Sequence, residues 1–286
     1  MKIKERKHII KQQNALNKAI LKKIGDLGEY YFYYGMLVYS LSDEKIKDME
    51  NFNLPSWNDI VKCAKKTYRK FDDTVAKRIK YEFENLTCDK DLIINAKDSD
   101  IYLNNNNFSS IIINDACVVN LVNDIAKKGG IDINASSISL IDVNGFINKD
   151  LNLKASLGID FYESNLNVEG NIDVYSDSVE FDKSILKSKK DIYVETNLAI
   201  IQNTKLIADN QIVSYFYHLC REGNQILDAK EIIVNSIDVT NSDTILKSKL
   251  RNDLIELLKA LKNKVNNNIQ LKSSEETQSI SKILKK

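Results

Sequence analysis

Proline occurs once and glycine nine times in 286 residues. Both counts are low for a chain that turns often, so a strand-rich fold must place Asn and Asp at its turns. Only two histidines are present, His8 and His218, which argues against a histidine-based triad or zinc centre. Cys63, Cys88, Cys117 and Cys220 share no metal-like spacing and form no CxxC pair. Scattered thiols of this kind suit a reducing compartment. Lys2, Lys4, Arg6 and Lys7 are followed by no apolar run, so no secretion signal and a cytoplasmic location are expected. No phosphate loop or dinucleotide fingerprint occurs. The aromatic stretch Glu29 to Leu41 is too short for a membrane helix, which needs about 20 residues. The sequence thus predicts no cofactor, no metal, no small-molecule ligand and no transmembrane segment.

What the chain does contain is a repeat. Segments begin at Leu92, Ile112, Ile131, Leu151, Ile172, Ile192, Ile212 and Ile232, at intervals of 20, 19, 20, 21, 20, 20 and 20. Two places after each start stand Ile94, Asn114, Ile133, Leu153, Val174, Val194, Ser214 and Val234. Two places further on stand Ala96, Ala116, Ala135, Ala155, Ser176, Thr196, Phe216 and Ser236. Apolar, polar, apolar, polar, small is strand periodicity with one buried face. A unit of this size cannot bury that face alone, so it must stack on its neighbours. A looser second pair follows, such as Ile138 and Leu140 or Ile159 and Phe161. A third patch follows at Phe146 and Ile147, at Leu166 and Val168, and at Ile185. Three strands per coil define a single-stranded parallel β-helix. Seven intervals at about 4.8 Å predict a rod on the order of 34 Å long. The pattern weakens from Ile212, where Tyr215, Phe216 and Tyr217 enter.

Stretches such as Gly130-Ile131-Asp132-Ile133-Asn134-Ala135 and Gly170-Asn171-Ile172-Asp173-Val174-Tyr175-Ser176 resemble the repeats of filamentous-haemagglutinin-type right-handed β-helices. They also resemble the shorter coils of bactofilins, which polymerise end to end inside bacteria. The resemblance covers about half the chain. It implies an architecture and brings no catalytic residue.

The flanks read differently. Residues 1–90 carry 19 Lys and Arg against 13 Asp and Glu, residues 91–243 carry 12 against 23, and residues 244–286 carry 10 against 4. The fold class expected is therefore α+β, with an α-helical N-terminal domain (1–90), the β-helix (91–243), and a C-terminal capping helix with a flexible tail (244–286). Ile3 to Ile24 predicts a basic amphipathic helix with Ile9, Leu16, Ile20 and Ile24 on one face. Glu29 to Leu41 is read as a buried helix of tyrosines, and Ser42-Asp43-Glu44 as the start of another. Ser56 and Asp59 form a capping box. The stripe Trp57, Ile60, Ala64, Tyr68, Phe71, Val75, Ile79, Phe83 and Leu86 predicts one helix reaching the first coil. Lys65, Lys66, Arg69, Lys70, Lys77, Arg78 and Lys80 are its nucleic-acid candidates. Thr244 to Val265 predicts a helix closing the far end. Caps at both ends suppress end-to-end polymerisation.

Two outward ladders deserve comparison. Asp132 and Asp173 stand two coils apart, with Asn152 between, at roughly 9.6 Å. That borders on the separation of about 6.5–9.5 Å used by inverting glycosidases, yet no basic residue joins them. Lys154, Tyr175, Glu195 and Tyr215 form the second ladder, with Tyr193 beside Glu195. An exposed aromatic strip on a solenoid suits a partner-binding surface; a loop or terminal helix lying over it is the competing reading. The sequence therefore predicts a non-enzymatic scaffold or assembly module acting through a protein partner or self-association. The alternatives are a carbohydrate-active or glycan-binding β-helix, and nucleic-acid or membrane-surface binding through the basic helices.

Overall fold

The computed structural model describes residues 3–26, 28–41, 51–72, 76–123, 125–126, 128–240 and 244–248. One coil shows how the repeat works. In the strand Leu151–Tyr162, Leu151, Leu153 and Ala155 are buried while Lys154 is exposed. The alternation breaks at Ser156 and Leu157, both exposed, and the pairing register shifts there. The strand turns a corner, then buries Ile159 and Phe161 on a second face. Glu163 adopts a left-handed φ of 48°, Ser164 points inward, and the short strand Asn165–Val168 buries Leu166 and Val168. Ile172 then stacks in parallel register on Leu151.

Repetition of this unit gives a parallel β-solenoid of about eight turns. The long strands form a 13-stranded sheet and the short ones a six-stranded sheet. Each buried Leu, Ile or Phe contributes about 1.5–3 kcal/mol by leaving water. The columns also interlock: the Phe161 and Phe181 rings stack at 4.9 Å and 14°.

The corner after each long strand is built from two columns. Asn85, Asn105, Asn123, Asp142, Glu163, Lys183, Asn203 and Gly223 all have positive φ, a conformation Asn, Asp and Gly reach at least cost. This is how so few glycines suffice. Just inside them runs a buried polar ladder. Val143 N donates to Ser164 Oγ at 3.2 Å, Ser164 N to Ser184 Oγ at 3.1 Å, and Ser184 N to Thr204 Oγ1 at 3.3 Å. The hydroxyls donate onward to carbonyls, Ser184 to Asp182 O at 2.9 Å and Thr204 to Gln202 O at 2.8 Å. Each of these three hydroxyls thus satisfies the turn amide of the coil before it, as buried backbone requires.

Several expectations need correction. Ile111 and Ile113, not Ile112 and Asn114, occupy the inner positions of the second coil. Asp115 is exposed with a left-handed φ of 56°, and this irregularity returns Ala116 to register with Ala135. On the short face Gly145 aligns with Leu166. Phe146 is therefore exposed, and in the next coil but one Leu186 points inward in place of Ile185. The coil beginning at Ile212 stays in register, with Phe216 facing inward over Thr196.

The N-terminal part is less helical than its stripes imply. Helix α1 (Ile3–Lys23) buries Ala15, Leu16, Ala19 and Ile20, but Ile9 is exposed. Glu29 to Leu41 is not a helix. It is a hairpin of β1 (Gly28–Tyr33) and β2 (Met36–Leu41). Tyr34 and Gly35, at φ 43° and 78°, make its two-residue loop, the backbone of a type I′ turn. Strand β3 (Asn51–Asn53) pairs with Leu92–Asn95. Helix α2 (Trp57–Thr67) has the expected capping box but ends at Thr67. Ile79 and Phe83 are instead buried alternate residues of strand β4 (Arg78–Glu84), which joins β2 to the strand Asp100–Asn104. The sheet therefore continues through residue 90. The two helices pack on each other, and their buried residues join one core with the coils. Thr244–Ser248 is a strand pairing with Gln225–Ala229 rather than the start of a helix. Ser42-Asp43-Glu44 and the remainder of the span expected to form the C-terminal helix and tail lie outside the described residues.

Candidate functional site

Because the coils stack in register, every outward position becomes a column along the solenoid. Lys154, Tyr175, Glu195, Tyr215 and Asn235 are successive lateral neighbours. Asn152, Asp173, Tyr193 and Val213 form the adjoining column. At the corner on the other side stand Asp177, Asn197 and Tyr217, all exposed. The Lys154 column and this corner frame a shallow groove of about 650 Å³ lined by Lys154, Tyr175, Glu195, Tyr215, Tyr217 and Asn235 among others, and the column of Tyr193 runs beside it.

The three tyrosine rings form a continuous ridge. Tyr175 lies 5.2 Å from Tyr193, and Tyr193 lies 5.9 Å from Tyr215, both in tilted contact. Tilted and offset rings at such distances attract one another. Tyr193 donates its hydroxyl proton to Glu195 Oε2 at 2.8 Å. That bond, with burial and the carboxylate charge, pushes the Tyr193 hydroxyl up to about 12. Burial, then the charges of Asp173 and Glu195, also raises Tyr175. Both rings therefore present neutral hydroxyls. Asn197 Nδ2 donates to Asp177 Oδ1 at 3.1 Å, which fixes the corner.

All five residues singled out by the sequence meet in this place: Lys154, Tyr175, Glu195 and Tyr215 in one column, and Tyr193 beside Glu195. Tyr175 and Tyr215 remain 39% and 42% exposed, enough ring surface to meet a partner. The sequence reading missed Asp177, Asn197 and Tyr217. Their 20-residue spacing was the available signal, but the corner breaks the alternation that identified the other columns.

Asp132, Asn152 and Asp173 are lateral neighbours in the order the sequence implied. Asp173 is raised by burial and by the carboxylates of Asp150 and Asp191. A carboxyl raised in the folded chain is favoured when protonated. Its stabilisation is fully present below the unfolded value and is lost as pH rises through the folded one. Asp173→Asn is therefore expected to raise the thermal midpoint at neutral pH, with the gain shrinking toward pH ~4; midpoints measured at both pH values check this. The basic candidates do not share one helical face. Lys65 and Lys66 lie on α2, Arg69 and Lys70 follow it, and Arg78 and Lys80 lie on β4. Arg78 approaches Asp100 at 3.5 Å, and Lys80 pairs with Glu82 at 2.9 Å and lies 4.2 Å from the Tyr102 ring centre.

The chain is a parallel β-solenoid carrying a tyrosine-lined groove on one long face. Comparison with known protein families, curated proteins and solved structures finds no match. No helix among the described residues is long and apolar enough to cross a membrane.

Proposed function

We propose that this protein is a non-enzymatic scaffold or assembly module that holds a protein partner along the groove of Tyr175, Tyr193 and Tyr215. The observation that carries the reading is the continuous ring ridge. Tyr175 and Tyr215 both pack on the half-buried Tyr193 and remain exposed themselves, with Lys154 at one end of the ridge and Glu195 beside it. Rings already ordered by one another lose little conformational freedom when a partner covers them. Aromatic residues are also the side chains that most often anchor interfaces. The charged neighbours set orientation, since opposite charges at the rim steer encounter and suppress wrong partners. Asp132 and Asp173 form one flat ladder without a converging basic group, whereas catalysis needs groups that meet at one atom.

The test is affinity capture from the native lysate with the intact chain and with Tyr175→Ala/Tyr215→Ala. A retained protein that the double variant loses, by tenfold or more in affinity when purified, is the expected result. Hot-spot truncations of this kind cost about 2 kcal/mol or more each. Retention indifferent to the substitutions contradicts the proposal. A glycan-binding reading draws on the same rings together with the Asp177, Asn197 and Asn235 polar groups. Binding of purified protein to an oligosaccharide panel, lost in the same variant, distinguishes it.

A further inference from the structure

At the N-terminal end of the long sheet the last strand is β1, which among the described residues pairs only with β2. Half of its backbone N–H and C=O groups therefore face away from the sheet, a template for another strand. Proteins blunt such edges with lysine, proline, bulges or a covering segment. Gly28–Tyr33 has neither lysine nor proline, and its one charge is Glu29. Instead it displays rings: Tyr31, Phe32, Tyr33 and the loop residue Tyr34 are 47%, 41%, 54% and 89% exposed.

The strand is held in place for pairing. Tyr30 donates its hydroxyl proton to Asn17 Oδ1 of α1, and Tyr31 donates to Glu82 Oε2 of β4 at 3.4 Å. Gly28 N donates to Tyr39 Oη at 3.1 Å. An edge fixed by side-chain bonds to a helix and to neighbouring strands meets a partner at small entropic cost.

We propose that β1 pairs antiparallel with β1 of a second copy, joining two solenoids edge to edge in a two-fold dimer. A strand pairing with itself about a two-fold axis is antiparallel and self-complementary. The two-fold axis is perpendicular to the sheet and keeps each side chain on its own face, so the pairing centres on one residue and its copy: Tyr31 opposite Tyr31, Tyr30 opposite Phe32 and Glu29 opposite Tyr33. The two Glu29 carboxylates then lie at opposite ends of the contact, so no like charges meet. The four rings leave about 500 Å² exposed per chain. Two copies together can therefore bury up to about 1,000 Å², the level a specific interface needs. Each copy has one β1 edge, so the assembly closes at two rather than growing into a filament. This inference is independent of the tyrosine groove, which lies on other coils.

Sedimentation of the full chain over a concentration series tests it. The expected mass is twice 32.7 kDa at the upper concentrations. Tyr31→Lys and Tyr33→Lys, tested singly, are each expected to weaken dimerisation about 100-fold by placing a charge against the partner strand. Because both positions are exposed, thermal midpoints close to that of the parent are the check that folding persists. Tyr175→Ala/Tyr215→Ala is expected to leave the dimer intact. A parent chain that stays monomeric, a dimer indifferent to both lysine variants, or species that keep growing with concentration would overturn the proposal.

Discussion

Phe181→Ala is expected to lower the unfolding free energy by about 3–5 kcal/mol, the range for removing a buried aromatic ring. Phe181 is fully buried, stacked on Phe161 at 4.9 Å and neighboured on the other side by Ile201. The cost falls at the upper end of core truncations because the site cannot collapse. Its walls are backbone strands held about 4.8 Å apart by inter-coil hydrogen bonds. A neighbouring coil cannot move inward without breaking those bonds. Urea titration at fixed pH gives the change, and an unaltered slope would show that the loss belongs to the folded state. Lys187→Ala, at an exposed position on the short strand that follows, is expected to stay within about 0.5 kcal/mol.

Thr204→Val tests the inner hydroxyl ladder, with an expected loss of about 1–3 kcal/mol. Valine fills nearly the same space, so almost no cavity forms. What disappears is the acceptor for Ser184 N at 3.3 Å and the donor to Gln202 O at 2.8 Å. Thr204 is 1% exposed, leaving no water to replace either bond. A buried amide without a partner bears its full desolvation cost. Hydrogen exchange should localise the effect, with the Ser184 amide exchanging faster while amides in the middle of the long strands keep their protection.

The solenoid was readable from sequence wherever two conditions held together: strict alternation and a constant period. From Ile131 to Thr196 both hold, and the inner positions Ile131, Ile133, Leu151, Leu153, Ile172, Val174, Ile192 and Val194 are all buried. Where an irregularity shifts the chain by one residue, alternation alone misplaces the face, as it did at Ile112. One residue of slip moves every side chain to the opposite side of a sheet. Phe146 misled for a related reason. Hydrophobicity suggested the inside, but register with Leu166 gives that place to Gly145.

The N-terminal part hid its strands because apolar residues four and three apart fit a helix, while the breaks between elements left few marks. Trp57, Ile60 and Ala64 do lie on α2, yet Ile79 and Phe83, four apart, both lie on β4, where even spacings also share a face. The aromatic run Tyr30 to Tyr39 has no polar alternation at all, and only Gly35 marked its turn. The groove was legible as a ladder of Lys154, Tyr175, Glu195 and Tyr215, since outward columns follow directly from the period. Its corner, with Tyr217, follows from the bend, which no local propensity announces. The inner ladder of Ser164, Ser184 and Thr204 was equally hidden, because single polar residues between strands read as ordinary turn residues.

The stacking of one coil on the next underlies the groove, the ladder and the exposed edge alike. Pulsed electron-spin distances along one outward column measure it directly. Ile93, Ile112, Asp132, Asn152, Asp173, Tyr193, Val213 and Ile233 are successive lateral neighbours. With the native cysteines replaced and one label at position 93, a second label at 193, 213 or 233 should report about 24, 29 and 34 Å, before allowance for the label arms. The account predicts a steady increase of about 4.8 Å for each 20 residues. Distances that stay constant, or that fall as the second label moves along the chain, would contradict it.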